Sequence, residues 1–226
     1  MIARKPKILF IYYTYSQQTL SVVETMSGVL RERGCDVRHA KIEFTDPRYK
    51  DRFSRLPLRH VYLDLFAMLP AQVRRATGQF YVPSETLDDD YDFVCIGSPT
   101  WWLTTCMPVR SFMKSEQAGR VINGKRFSAF AVCRRYWRNN LRTVRDLGTK
   151  QGGTFVSGTH FTHAGGQVLS LLSLISYLAK GEDRKRYLGV RIPPASLKPD
   201  YIEQARAFAN GIADDLGSVT ETPVTH

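Results

Sequence analysis

The chain opens on an unbroken apolar and aromatic run, Ile8-Leu9-Phe10-Ile11-Tyr12-Tyr13, without the polar alternation of a half-exposed strand. Such a run predicts a strand over residues 7–13 that is buried on both faces. Apolar Leu20, Val23, Met26 and Leu30 then recur at helical spacing, and Gly34 supplies a stop. Residues 36–42 (DVRHAKI) alternate and read as a second strand. Continuous apolar character returns at 91–97 (YDFVCIG) and 126–133 (RFSAFAVC), and a fifth strand over 154–158 follows Gly152-Gly153. A helix opens at 108–114, another runs to Lys150, and Tyr201, Ala205, Phe208, Ile212 and Leu216 mark an amphipathic helix at the end. Strands alternating with helices in this way predict an α/β fold with a doubly wound, five-stranded parallel sheet. The loops after strands one, three and four then gather at one edge.

Two stretches are longer than a strand-to-helix crossover requires. In the first, about 43–90, Leu58, Val61, Tyr62, Leu65, Phe66 and Leu69 fall on one helical face until Pro70, which is expected to end the helix. The second, about 160–198, contains the apolar helix QVLSLLSLISYLA at 167–179, with Ser170, Ser173 and Ser176 spaced by three. That helix is too short to span a bilayer. It is expected to pack against the first insertion or a second subunit; attachment to an anionic membrane surface is the other reading, because GEDRKRY follows it. Residues 1–217 thus read as a single domain with two helical insertions, and 218–226 as a disordered tail.

At 226 residues with 43% hydrophobic and 12% aromatic content, the chain is long enough and apolar enough for a substantial core, which excludes wholesale disorder. Cys35, Cys95, Cys106 and Cys133 form no CxxC pair and read as reduced thiols of a cytoplasmic protein. No export signal or membrane span is read at the N-terminus. The net charge of +11 is uneven: between Arg120 and Lys150 there are nine Lys and Arg against one acid, Asp146. These cations follow a strand end, which in this fold class points to a ligand edge rather than to nucleic acid.

The chemistry concentrates in three loops. After the first strand come Thr14, Tyr15, Ser16, Gln17, Gln18 and Thr19, a hydroxyl- and amide-rich turn feeding a helix. Its hydroxyls either cap the helix or, with the unpaired N–H groups and the dipole of the helix N-terminus, cradle a phosphate. After the third strand come Ser98, Pro99, Thr100, Trp101, Trp102 and Leu103; the adjacent indoles either pack under the first insertion or flank a planar ring. After the fourth come Cys133, Arg134, Arg135, Tyr136, Trp137 and Arg138. The segment GRVINGK at 119–125 is no P-loop, since Arg126 stands where Ser or Thr is needed. His160-x-x-His163 lacks the carboxylate or cysteine that would make it a metal site, so none is expected.

KILFIYYTYSQQT, YDFVCIGSPTWW and FSAFAVCRRYWRNN together resemble the three flavin-mononucleotide loops of the flavodoxin-like family. Thr14, Ser16, Gln18 and Thr19 match the first loop's pattern, and Gln17 replaces its glycine. GSPTWWLTTCMPVRSF is most similar to the second loop of the Trp-repressor-binding-protein-like quinone oxidoreductases and related NAD(P)H-dependent FMN reductases. The resemblance implies that residues 14–19 hold the FMN phosphate, that residues 98–103 lie along the isoalloxazine, and that residues 133–137 lie on its other side. Arg134, Arg135 and Arg138 favour an anionic reduced flavin over a low-potential one-electron carrier. The expectation is therefore two-electron transfer from NADPH to a quinone-like or other small aromatic acceptor, with an arginine receiving the 2′-phosphate, in a homo-oligomer. The alternative is a non-catalytic carrier or scaffold that binds an acidic protein.

Overall fold

The computed structural model describes residues 4–53 and 56–220. In chain order, β1 (Lys7–Tyr12), α1 (Gln18–Glu32) and β2 (Asp36–Lys41) lead into the first insertion, which holds β3 (Glu43–Phe44), α2 (Lys50–Phe53), α3 (Val61–Val73), β4 (Phe80–Tyr81) and α4 (Ser84–Leu87). Then follow β5 (Phe93–Trp101), β6 (Thr104–Thr105), α5 (Met107–Met113), α6 (Glu116–Ile122), β7 (Arg126–Cys133), α7 (Trp137–Lys150) and β8 (Thr154–Thr162). The second insertion contributes α8 (Gln167–Lys180), β9 (Arg186–Tyr187) and β10 (Val190–Arg191), and α9 (Tyr201–Thr220) closes the chain.

The main sheet has the order β2-β1-β5-β7-β8, all parallel, with β6 added antiparallel at the end of β5. Because side chains alternate along a strand, Ile8, Phe10 and Tyr12 enter the core beneath α1 and α9, while Leu9, Ile11 and Tyr13 enter the one beneath α5, α6 and α7. Burying each such side chain contributes about 1.5–3 kcal/mol, which is why the apolar run of β1 belongs at the centre of the sheet.

Several boundaries differ from expectation. β5 continues to Trp101 because Thr100 and Trp101 pair with Thr105 and Thr104 in a hairpin, so Ser98, Pro99 and Thr100 are strand, not loop. β8 runs to Thr162 alongside Cys133 of β7 and absorbs the first residues of the second insertion. Pro70 does not end α3. It and Phe66, whose carbonyl loses its helical partner, both lie on the exposed side of the helix. α3 also buries Asp64 and Gln72 together with Val61 and Met68, leaving Tyr62 and Phe66 exposed. Gly217 belongs to α9, which continues to Thr220; residues 221–226 of the expected tail lie outside the described residues.

The end of α3 is fixed by Arg110 of α5, whose side chain is fully buried. Its guanidinium donates to Ala76 O and Thr105 O, both at 3.0 Å, and to Gln72 Oε1. Gln72 in turn donates to Trp101 O at 3.0 Å and Thr105 O at 3.3 Å. Among the described residues, no helix is long and apolar enough to cross a membrane, and no group of three or more His, Cys, Asp or Glu is placed to hold a metal.

Candidate functional site

In this strand order the chain leaves β1 toward β2 on one side and returns to β5 on the other, which opens a crevice beyond the carboxyl ends of β1 and β5. The turn after β1 sits there. Gln17 takes φ 63°, ψ −3°, the left-handed conformation that glycine adopts without penalty, and α1 begins with no side-chain cap. A non-glycine residue held there costs of order 1–3 kcal/mol, which the surrounding structure has to offset. Thr14 is buried, its Oγ1 without a hydrogen-bond partner. Thr19 is buried on the first turn of α1, and Ser16 is half-buried beside it. Tyr15 meets Phe53 of α2 edge-on at 5.8 Å. The side chain of Gln18 turns away: its amide bridges His163 Nε2 and the carbonyl of Ala195.

The second segment is bound into the framework. Asn140 of α7, fully buried, donates to Ser98 O at 3.1 Å and Thr100 Oγ1 at 2.8 Å, and accepts from Thr105 Oγ1 at 2.8 Å. Trp101 packs among Phe53 at 5.3 Å, Tyr13 at 5.5 Å and Phe44 at 6.3 Å. Trp102 lies in the β5–β6 turn at φ 57°, against Phe66 of α3 at 5.8 Å, with 38% of its surface exposed. Both indoles therefore pack against the first insertion, and only Trp102 and Leu103 keep a large free surface.

The third segment divides. Cys133 ends β7 buried, its thiol pushed up to about 12 by burial, and its carbonyl accepts from His163 Nδ1 at 2.9 Å. Arg134 turns inward, donating to Ser170 Oγ of α8, while its Nη2 is buried without a partner. Burial pulls its guanidinium down to about 10, against the opposing charge of Asp183. Arg135, Tyr136 and Arg138 are exposed. Tyr136 accepts from Gln167 Nε2 at 2.9 Å, and Trp137 stacks on His160 at 4.1 Å. The arginines expected to act together thus point in two directions.

Over this edge the insertions meet. Phe53, Leu58, Val61 and Met68 from the first and Leu178 from the second form one apolar cluster, against which Tyr15 and Trp101 pack. α8 turns its three serines inward: Ser173 donates to Pro193 O at 2.7 Å, and Ser176 Oγ is unpartnered. Tyr13 OH, Thr14 Oγ1, Thr104 Oγ1, Arg134 Nη2 and Ser176 Oγ, all buried and unpartnered, belong to segments at this edge. Buried polar atoms are nearly always satisfied, and five of the six unpartnered ones among the described residues lie on these segments. Ser176, His163 and Asn140 were not singled out as site residues. The spacing of the α8 serines was a signal for Ser176, and the His160-x-x-His163 pair, read there only as no metal site, was one for His163.

No family model and no curated protein sequence matches the chain. Solved structures do. An archaeal flavodoxin aligns over 93% of this chain and 99% of its own, at 11% identity and a TM-score of 0.54. A flavoprotein in complex with FMN from Lactobacillus acidophilus NCFM aligns over 69% of this chain and 93% of its own, at 14% identity and 0.51. The rubredoxin oxygen:oxidoreductase of Desulfovibrio gigas aligns over 96% of this chain at 14% identity and 0.54, and this chain spans 38% of its length. At these identities the likeness establishes the fold, which is flavodoxin-like.

Proposed function

We propose that this flavodoxin-like domain binds FMN at the β1–α1 turn and works as an oxidoreductase, passing two electrons from NADPH to a quinone-like or other small aromatic acceptor. The observation that carries the proposal is the turn itself: Gln17 in the left-handed conformation, α1 uncapped, and Thr14 Oγ1 buried without a partner at the sheet's switch point. N–H groups at a helix start, hydroxyls and no carboxylate are a donor set that fits a phosphate monoester. Bound FMN would supply the electron transfer.

The chain's own residues would do the rest. Thr14, Ser16 and the first-turn N–H groups of α1 hold the phosphate. Trp102 and Tyr136, exposed on the second and third loops, would offer aromatic faces to a flat ring. The inward guanidinium of Arg134 favours negative charge at this edge, and the cluster beneath α3 and α8 keeps water away from it. Arg135 and Arg138, rather than the enclosed Arg134, are the cations left to receive a 2′-phosphate from solvent.

A second reading, a non-catalytic carrier or scaffold with an acidic protein partner, draws on the packing of both indoles against Phe53 and Phe66. Titration of the purified protein with FMN tests the proposal: the proposal expects quenching of flavin fluorescence and a shifted visible spectrum. A colourless protein that leaves added FMN unchanged overturns it. Where FMN binds, sustained NADPH oxidation with a quinone separates enzyme from carrier.

A further inference from the structure

α8 is inverted relative to an ordinary surface helix. Its serines are buried, whereas Val168, Leu169 and Leu171 face outward, Val168 with 71% of its surface exposed. The exposed side of α3 continues the apolar character with Leu63, 70% exposed, and Phe66. The two helices are joined: Leu58 N–H, just before α3, donates to Leu178 O at 2.7 Å, and both contribute to one apolar cluster. The β9–β10 hairpin lies alongside, its Tyr187 hydroxyl 3.1 Å from that of Tyr62 on α3.

The tip of that hairpin is Leu188-Gly189, with φ of 49° and 79°, the two left-handed positions of a turn that normally takes Asn-Gly. A leucine is doubly misplaced there. Its backbone is in a conformation that L side chains rarely adopt, and the residue is 75% exposed. Cations surround this apolar surface. Lys180, Lys185, Arg186 and Arg191 form no ion pair among the described residues. The two nearby acids are engaged, Glu182 with Arg184 at 3.0 Å and Asp183 as acceptor from Ala195 N–H at 2.7 Å.

From the outward apolar residues, the strained leucine and the unpaired cations at its base, we infer that α3, α8 and the β9–β10 tip form a docking surface for an anionic lipid membrane. Leu188 and the outer side chains of α3 and α8 enter the interfacial zone, while Lys185, Arg186 and Arg191 meet the headgroups. An apolar tip with a basic base suits a soft apolar phase behind a layer of negative charge. A protein partner would need a pocket shaped to Leu188 and acids at matching positions.

Co-sedimentation with extruded vesicles tests this. The wild-type protein should pellet with equal parts phosphatidylserine and phosphatidylcholine at low salt, and stay in the supernatant with phosphatidylcholine alone. Leu63→Glu with Leu188→Glu should lower the partition coefficient at least tenfold with the melting temperature unchanged. Leu188→Gly, which removes the side chain and relieves the backbone, should weaken binding severalfold without loss of stability. Lys185→Gln with Arg186→Gln should weaken it severalfold on the anionic vesicles. Wild-type protein that ignores anionic vesicles overturns the inference, as does a concentration-dependent dimer that Leu63→Glu dissociates, since the surface would then belong to a second copy.

Discussion

His163 links three segments distant in sequence: Nδ1 lies 2.9 Å from Cys133 O at the end of β7, and Nε2 meets the side-chain oxygen of Gln18, whose amide nitrogen donates to Ala195 O. Burial, and then the charge of Arg134, hold the ring down to about 4 from its ordinary 6.5, against the opposing pull of the Cys133 bond. The folded state therefore resists protonation that the unfolded chain accepts. Stability from this residue is fully present above pH 6.5 and is lost as pH falls toward 4. With 1.36 kcal/mol per pH unit, the loss amounts to about 2 kcal/mol by pH 5 and to about 3 kcal/mol below pH 4. Urea denaturation of the wild type and of His163→Gln at pH 7 and pH 5 isolates the contribution, since other groups titrate alike in both. The wild type should lose about 2 kcal/mol more than the variant between the two values. Equal losses in the two proteins would refute the assignment of a neutral, buried ring.

Gly97 of β5 stands opposite Phe130 of β7, and a Cβ there would lie 2.5 Å from Phe130 Cζ, so Gly97→Ala should destabilise by about 1–3 kcal/mol in chemical denaturation. Thr14→Val removes a buried hydroxyl that has no partner in the protein; it should leave urea stability unchanged or raise it by up to about 1 kcal/mol while weakening FMN affinity about tenfold by fluorescence titration. Arg110→Met strands the carbonyl of Ala76 and the side-chain oxygen of Gln72 and should cost about 3 kcal/mol; combined with Gln72→Leu the loss should be less than additive in a denaturation cycle. Arg135→Ala with Arg138→Ala should raise KM for NADPH about tenfold and leave that for NADH unchanged, as loss of a bidentate phosphate contact requires.

What could be read in advance was whatever a local pattern decides. β1 and β7 are apolar without interruption, and both were legible almost to the residue. The turn after β1 was legible as a hydroxyl-rich turn feeding a helix, but the left-handed backbone of Gln17 was not. β5 was read short because Ser98 to Trp101 carry no strand pattern; their pairing is imposed by the β6 hairpin and by Asn140, which lies 40 positions beyond Thr100. Pro70 misled because proline stops a helix only where the lost bond matters, and here it lies on the exposed side. The inward turn of Arg134 depends on Ser170, 36 positions later, and no spacing rule encodes that meeting.

The anchoring of α3 couples the two insertions to the sheet. Its last turn is pinned to the β5–β6 hairpin through Gln72 and the buried guanidinium of Arg110, whereas its first turn leans on α8 through the Leu58 bond and on Arg52 through Asp64 at 3.5 Å. The helix is thus tied at one end to the sheet edge and at the other to the second insertion, and because Trp101 packs on the apolar cluster where the two insertions meet, a disturbance in either insertion is felt at the carboxyl end of β5.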